Sequence, residues 1–119
     1  MVTARKDYAD PMPSPRRMRE DLKLSRERMG RLLDVSAKTI ERWEERNALP
    51  VTRVLVERLA KMQEIIRLGH AVYTPEGFRR FLSTPLDEFD GRTALQLIES
   101  GQADRVLSAL AADYEGLGY

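Results

Sequence analysis

The chain has no cysteine among its 119 residues. That excludes a disulfide framework and thiolate chemistry, and it fits a reducing compartment. Histidine occurs once, at His70. One imidazole without thiolates cannot assemble a zinc centre, so His70, following Gly69, reads as a cap or surface residue. A long apolar run is also lacking. No stretch is long enough to cross a bilayer, and the opening MVTARKDYADPMPSPRR carries charges and prolines where a signal peptide needs an apolar segment. The expectation is a soluble, cytoplasmic protein. No glycine-rich phosphate loop follows a strand, and no internal repeat or low-complexity run is present. The acidic run LDEFDG fails as a calcium loop. With Gly91 at the sixth position, Leu86 and Leu97 occupy the first and twelfth, where oxygen ligands are required. Asp87, Glu88 and Asp90 therefore read as turn-forming and solubilising, and the chain is expected to be no enzyme, with no metal and no cofactor.

Charge is nearly balanced overall, at +1, but unevenly distributed. Residues 1–80 hold 18 Lys and Arg against 12 Asp and Glu, and residues 81–119 hold 2 against 7. One end is thus suited to an anion; the other is suited to a cationic protein surface or is a solvated acidic tail.

The apolar pattern is helical throughout, which predicts an all-α chain. Residues 1–13 lack an apolar period and read as a flexible arm. Ser14-Pro15 is an N-cap followed by proline at the first helical position, and Met18 and Leu22 then point inward at i, i+4 spacing. Ser25 caps a second helix that turns Met29, Leu32 and Leu33 to the core. Asp34-Val35-Ser36 forms a tight turn in which Asp34 takes the left-handed conformation and Ser36 caps a third helix, AKTIERWEER. Ile40 and Trp43 seal its underside, Gly30 is small where the second and third helices cross, and Asn47-Ala48-Leu49-Pro50 stops it. The longest period runs from Val51 to Leu68: Val51, Leu55, Leu59, Met62 and Ile66 share a face, widened by Val54, Ile65 and Leu68, and Gly69 closes it as a C-cap. This stripe is core packing or, less favoured, a dimer seam. Thr74-Pro75 opens a helix carrying Phe78, Phe81 and Leu82, which Thr84-Pro85 ends. Thr93 caps another with Leu95, Leu97 and Ile98, stopped by Gly101. A last helix carries Val106, Leu107, Leu110 and Tyr114 into a loose tail with Gly116 and Gly118.

This arrangement leaves Ala37, Lys38, Thr39, Arg42 and Arg46 on the outer face of the third helix. A helix of that size fits a major groove, where Lys or Arg pairs with guanine and Ala37 lies against a thymine methyl. Arg26 and Ser36, at helix N-termini, would grip phosphate, and Arg16, Arg17 and Arg46 would add counterion-release affinity. Glu41, Glu44 and Glu45 oppose binding unless they pair with Lys38, Arg42 or Arg46 at i, i+4 spacing. The modest basic excess calls for a homodimer, or a higher assembly, on a palindromic or repeated site.

The segment LKLSRERMGRLLDVSAKTIERWEERNALP resembles the helix-turn-helix of the Xre and Cro repressor family. The resemblance implies that Lys38 and Arg42 read bases in double-stranded operator DNA. The segment TPEGFRRFLSTPLDEFDGRTALQLIESGQADRVLSALAADYEG resembles the toxin-binding domain of the Xre/MbcA/ParS antitoxins, which neutralise RES-domain toxins. Ala94 stands where that family usually has proline, and Ser100-Gly101 stands for its threonine-glycine pair. The resemblance implies an arm over 1–13, a helix-turn-helix domain over 14–69 and a toxin-binding domain over 70–119. It further implies a RES-domain toxin that consumes or transfers from NAD, and autorepression by the complex. The acidic last segment suits a toxin pocket lined with cations for dinucleotide phosphates, with Tyr114, Glu115, Leu117 and Tyr119 expected to reach it. Two other readings stay open: a simple dimeric repressor without a toxin, and an adaptor that does not bind DNA.

Overall fold

In the computed structural model, residues 14–46 and 52–117 are described. The arm over 1–13, the stop at Asn47 to Pro50, the stripe residue Val51, Gly118 and Tyr119 lie outside them. The described residues form seven α-helices and one short 3-10 turn, with no named strand. The helices are α1 (Pro15–Leu22), α2 (Arg26–Leu33), α3 (Ala37–Glu45), α4 (Arg53–Val72), α5 (Pro75–Ser83), α6 (Ala94–Glu99) and α7 (Ala103–Gly116). The architecture is all-α, as the helical periodicity predicts.

Local capping chemistry sets most boundaries. Ser14, Ser25, Ser36, Thr52, Thr74 and Thr93 each accept a hydrogen bond from a backbone N–H three residues on. Each satisfies one of the donors that a helix N-terminus leaves open. At Thr93 the cap is reciprocal: Gln96 N donates to Thr93 Oγ1 at 3.0 Å and Thr93 N donates to Gln96 Oε1 at 2.9 Å. Asp34 ends α2 in the left-handed region, at φ 60° and ψ 46°, which opens the turn into α3.

A single hydrophobic core runs through the molecule. It joins Met18, Leu22, Met29, Leu32, Leu33 and Ile40 from the first three helices to Leu59, Met62 and Ile65 from α4 and to the buried apolar residues of α5, α6 and α7. α4 is the spine. Lys61 lies 2.9 Å from Asp104 near the start of α7, and Tyr73, just past the end of α4, donates to Asp113 near the other end. The two helices therefore run parallel, side by side. α2 packs both on α3 and on α6, so it touches both halves of the chain.

Several sequence expectations are corrected by packing. Gly69 does not end the long helix, which continues to Val72. Gly69 is buried there, and a Cβ on it would stand 2.2 Å from Phe78 Cε1. Its smallness admits the Phe78 ring. Gly69→Ala is therefore expected to destabilise, because a rigid, fully buried ring outweighs the gain in helix propensity. A net loss of about 1–2 kcal/mol should appear as a lower denaturant midpoint. His70 lies within α4 rather than at a cap, with Nε2 2.8 Å from Asp21 Oδ2. Gly30 is small where the turn and the first residue of α3 come close to α2: a Cβ there would meet the Val35 carbonyl oxygen at 2.5 Å and Ala37 N at 3.4 Å. Val54 does not widen the buried stripe; it is 55% exposed. Trp43 packs against the core but is only half-buried. Tyr114 lies on the last helix as expected, and that helix, α7, also includes Glu115 and Gly116, which the sequence assigns to a loose tail.

The PLDEFDGR stretch is a compact turn. Leu86 and Arg92 form an isolated antiparallel bridge, Asp90 takes φ 59° and Gly91 φ 79°. This folds Phe89 into the core, where it meets Phe81 edge-on with ring centroids 6.3 Å apart, while Tyr73 stacks on the same Phe81 at 5.3 Å. Arg105 holds the turn from outside by donating to the Glu88 carbonyl at 2.8 Å. Among the described residues no helix is long and apolar enough to cross a membrane, and no group of His, Asp and Glu is placed to hold a metal ion.

Candidate nucleic-acid interface and partner surface

The third helix is fixed from below and open above. Ile40 is fully buried, and the Ser36 side chain accepts from Thr39 N at 3.0 Å while its Oγ lies 2.9 Å from Thr39 Oγ1. This sets the helix start and leaves Lys38, Arg42 and Arg46 exposed, with Ala37 and Thr39 partly covered. The Lys38 side chain is 80% exposed. Ala37, Lys38, Thr39 and Arg42 thus lie on one helix and Arg46 is its C-cap, with the three cations open to solvent.

Arg26 lies apart from that strip. It opens α2, and its Nε donates to Glu44 Oε1 at 3.0 Å, with the side chain about half-exposed. Glu44 is the residue that sequence reasoning placed wrongly. It does not pair with Lys38, Arg42 or Arg46 on its own helix. Its carboxylate turns inward and is bracketed by two arginines from other helices, with Arg19 Nε donating to Oε2 at 2.6 Å and Arg19 Nη2 donating to Oε1 at 3.1 Å. Arg19 also donates to the Leu24 carbonyl at 3.1 Å. The hydrogen bonds from Arg19 hold the Glu44 carboxyl below the usual glutamate range against the opposing effect of burial, with Arg26 adding to them; Glu44 in turn raises Arg19. A signal was available in the sequence: Glu44 follows Ile40 by four positions, which puts it on the buried face. Glu41 pairs along the helix, 3.5 Å from Lys38 at i, i+3.

The two halves are linked by charge as well as by the core. Arg28 Nε lies 2.9 Å from Glu99 Oε2, and Arg31 Nε lies 3.6 Å from the same oxygen. These contacts tie α2 to α6. The Asp21 carboxylate accepts from His70 Nε2 at 2.8 Å, and its backbone carbonyl accepts from Arg79 at 3.2 Å. That ties the end of α1 to α4 and α5.

At the far end of the spine, Tyr73 stacks on Phe81 and donates to Asp113 Oδ2 at 3.3 Å. Burial raises its phenol pKa, and the nearby Asp113 carboxylate adds to the effect. Beyond this contact stand the described members of the nominated partner surface. Tyr114 is half-buried, Glu115 is exposed, and Leu117, which caps α7, is 52% exposed.

Comparison with known proteins places these surfaces in context. Residues 68–116 match the family model described as the antitoxin Xre/MbcA/ParS C-terminal toxin-binding domain. No curated protein matches the chain at a significant level. Among solved structures, a chain of the crystal structure of the M. tuberculosis MbcT–MbcA toxin–antitoxin complex matches with a TM-score of 0.70 and 22% identity, over 87% of this chain and 92% of that one. At that identity the likeness shows a shared fold. The matched segment starts in the last turns of α4 and ends with α7, so the similarity to the antitoxin Xre/MbcA/ParS C-terminal toxin-binding domain covers the C-terminal helices of the chain.

Proposed function

We propose that this protein is an antitoxin that neutralises a cognate toxin through its C-terminal region and represses its own operon through the helix-turn-helix formed by α2 and α3. The observation that carries this reading is the match of residues 68–116 to a toxin-binding domain in a chain whose third helix presents Lys38, Arg42 and Arg46 to solvent. The toxin is of the RES-domain type that acts on NAD. The acidic balance of residues 81–119 supports that choice, because a site that binds a dinucleotide is lined with cations that an acidic segment can occupy. In the matched structure, MbcT and MbcA form a toxin–antitoxin complex. The working unit is a homodimer, or a larger hetero-oligomer with toxin, on a palindromic operator. The domain division proposed is an arm over 1–13, a DNA-binding part over 14–69 and a toxin-binding part over 70–119, with α4 shared across the last boundary.

Co-expression with the product of the neighbouring gene tests the reading. Recovery of a stable complex in which NAD loss is suppressed supports it. Recovery of an operator-binding protein with no toxic neighbour leaves a simple dimeric repressor in its place. Within the complex, Leu117→Asp is expected to weaken toxin binding at least about tenfold in a calorimetric titration, since it puts a charge into an apolar contact at an exposed position. The unfolding midpoint of the free chain should stay where it was.

A further inference from the structure

We propose that Lys38 and Glu41 act together as a two-headed reader of one G·C base pair, with Glu41 a specificity-determining residue rather than a bystander. The inference rests on the DNA-binding half of the proposed function. Its starting observation is that the two side-chain tips, Lys38 Nζ and Glu41 Oε1, lie 3.5 Å apart on the first turns of α3. Lys38 is almost fully exposed, and among the described residues Glu41 has no other ion-pair partner. The helix beneath them cannot rotate to hide either one, because Ile40 and Glu44 are buried and the Ser36 cap fixes its start.

The major-groove edge of a G·C pair presents N7 and O6 of guanine, both acceptors, followed by the N4 donor of cytosine. O6 and N4 are hydrogen-bonded to each other, so they lie about 2.9 Å apart. A donor tip and an acceptor tip at 3.5 Å match that spacing. Lysine covers the two contiguous acceptors, and the carboxylate takes the edge donor. An A·T pair fits worse: its single donor lies between two acceptors, so a carboxylate there faces the T O4 oxygen. A carboxylate over any edge without a donor is repelled by that edge and by the flanking phosphates. Glu41 thereby rejects wrong bases as well as accepting the right one.

The polarity of the pair along α3 sets the polarity of the base pair. Exchanging the two charges, K38E together with E41K, should reverse the selected pair from G·C to C·G at that step. The exchange keeps an i, i+3 pair and puts the acid nearer the helix N-terminus, an orientation that favours folding. The full-length chain is passed over a randomised duplex library at fixed low salt, as wild type, as Glu41→Ala and as the exchange variant, with thermal unfolding confirming that each is folded. Expected is a G·C preference at one step for wild type, a drop of about tenfold in that preference for Glu41→Ala, and inversion for the exchange. If wild type enriches a sequence but both variants keep the same preference at every step, the paired reader is overturned while DNA binding stands. If no sequence is enriched by any of the three, DNA recognition itself fails, and the paired reader with it.

Discussion

Replacing Lys38 and Arg42 together with alanine is expected to lower operator affinity from about thirtyfold upward without moving the unfolding midpoint. The estimate takes about 1–3 kcal/mol for each base contact. The two side chains are exposed on α3, and the helix is held by residues on its other face: Ile40, Glu44 and the Ser36 cap. Nothing structural is therefore lost beyond the solvent-exposed contact of Lys38 with Glu41, which is worth little in water. Fluorescence anisotropy with a library-selected duplex at one fixed salt concentration measures the change. Salt must be held constant, because the phosphate contacts of Arg16, Arg17 and Arg46 would shift affinity for any sequence. Unchanged binding by the double variant would remove base reading from this helix. Wild type that binds no duplex even at low salt would favour an adaptor.

The largest effect on stability is expected at Glu44. Its side chain is 3% exposed, and that of Arg19 is 18% exposed. Removing the carboxylate strands a largely buried guanidinium, the situation in which an ion pair costs most to break. Arg19 keeps its bond to the Leu24 carbonyl and some solvent, so Glu44→Ala should cost about 2–3 kcal/mol, toward the low side of such losses. For a chain of this size that is a fall of about 10 °C in the thermal midpoint. The dependence on pH has a definite sign. The Glu44 pKa is lower in the folded chain than the ordinary value of 4.5, because Arg19 donates to it. Its contribution to stability is therefore complete above the unfolded-state value and is lost as pH falls through the folded-state value. Wild type should lose stability in that acid window, and Glu44→Gln should show a shallower loss there. The gap between the two should narrow as the pH falls. A gap that is constant with pH would mean that Glu44 matters by shape rather than by charge.

The same network bears on function. Arg26 reaches toward solvent at the N-terminus of α2 while its guanidinium is held by Glu44. A phosphate contact from Arg26 would therefore be made by a side chain already positioned, at reduced entropic cost. α2 also carries Arg28 and Arg31 against Glu99 on α6. The helix packed against α3 is thus the same one that rests on α6, within the segment matched by the family model, and one hydrophobic core continues through both. The two surfaces sit on a single packed body.

Much of this fold is legible in the chain because the deciding interactions are local. Ser14-Pro15, Ser25, Asp34-Ser36, Thr74-Pro75 and Thr93 with Gln96 act across three or four residues, so their spacing alone announces helix starts and the α2–α3 turn. The apolar period likewise identifies Met29, Leu33, Ile40, Phe78, Leu97, Val106 and Leu110 as core, and the exposed strip follows as the opposite face of the Ile40 helix. Other roles depended on partners far away in sequence. Gly69 looked like a stop until Phe78 was laid against it. Glu44 looked like a surface acid until Arg19, 25 positions earlier, closed over it. Phe89, set among acidic residues, was turned inward by the bridge between Leu86 and Arg92. Caps and periods are written within one or two turns of chain, and sequence by itself determined them; the burial of a charge, the depth of a ring and the space beside a glycine are set by surfaces that meet only when the helices pack, and tertiary structure alone decided those.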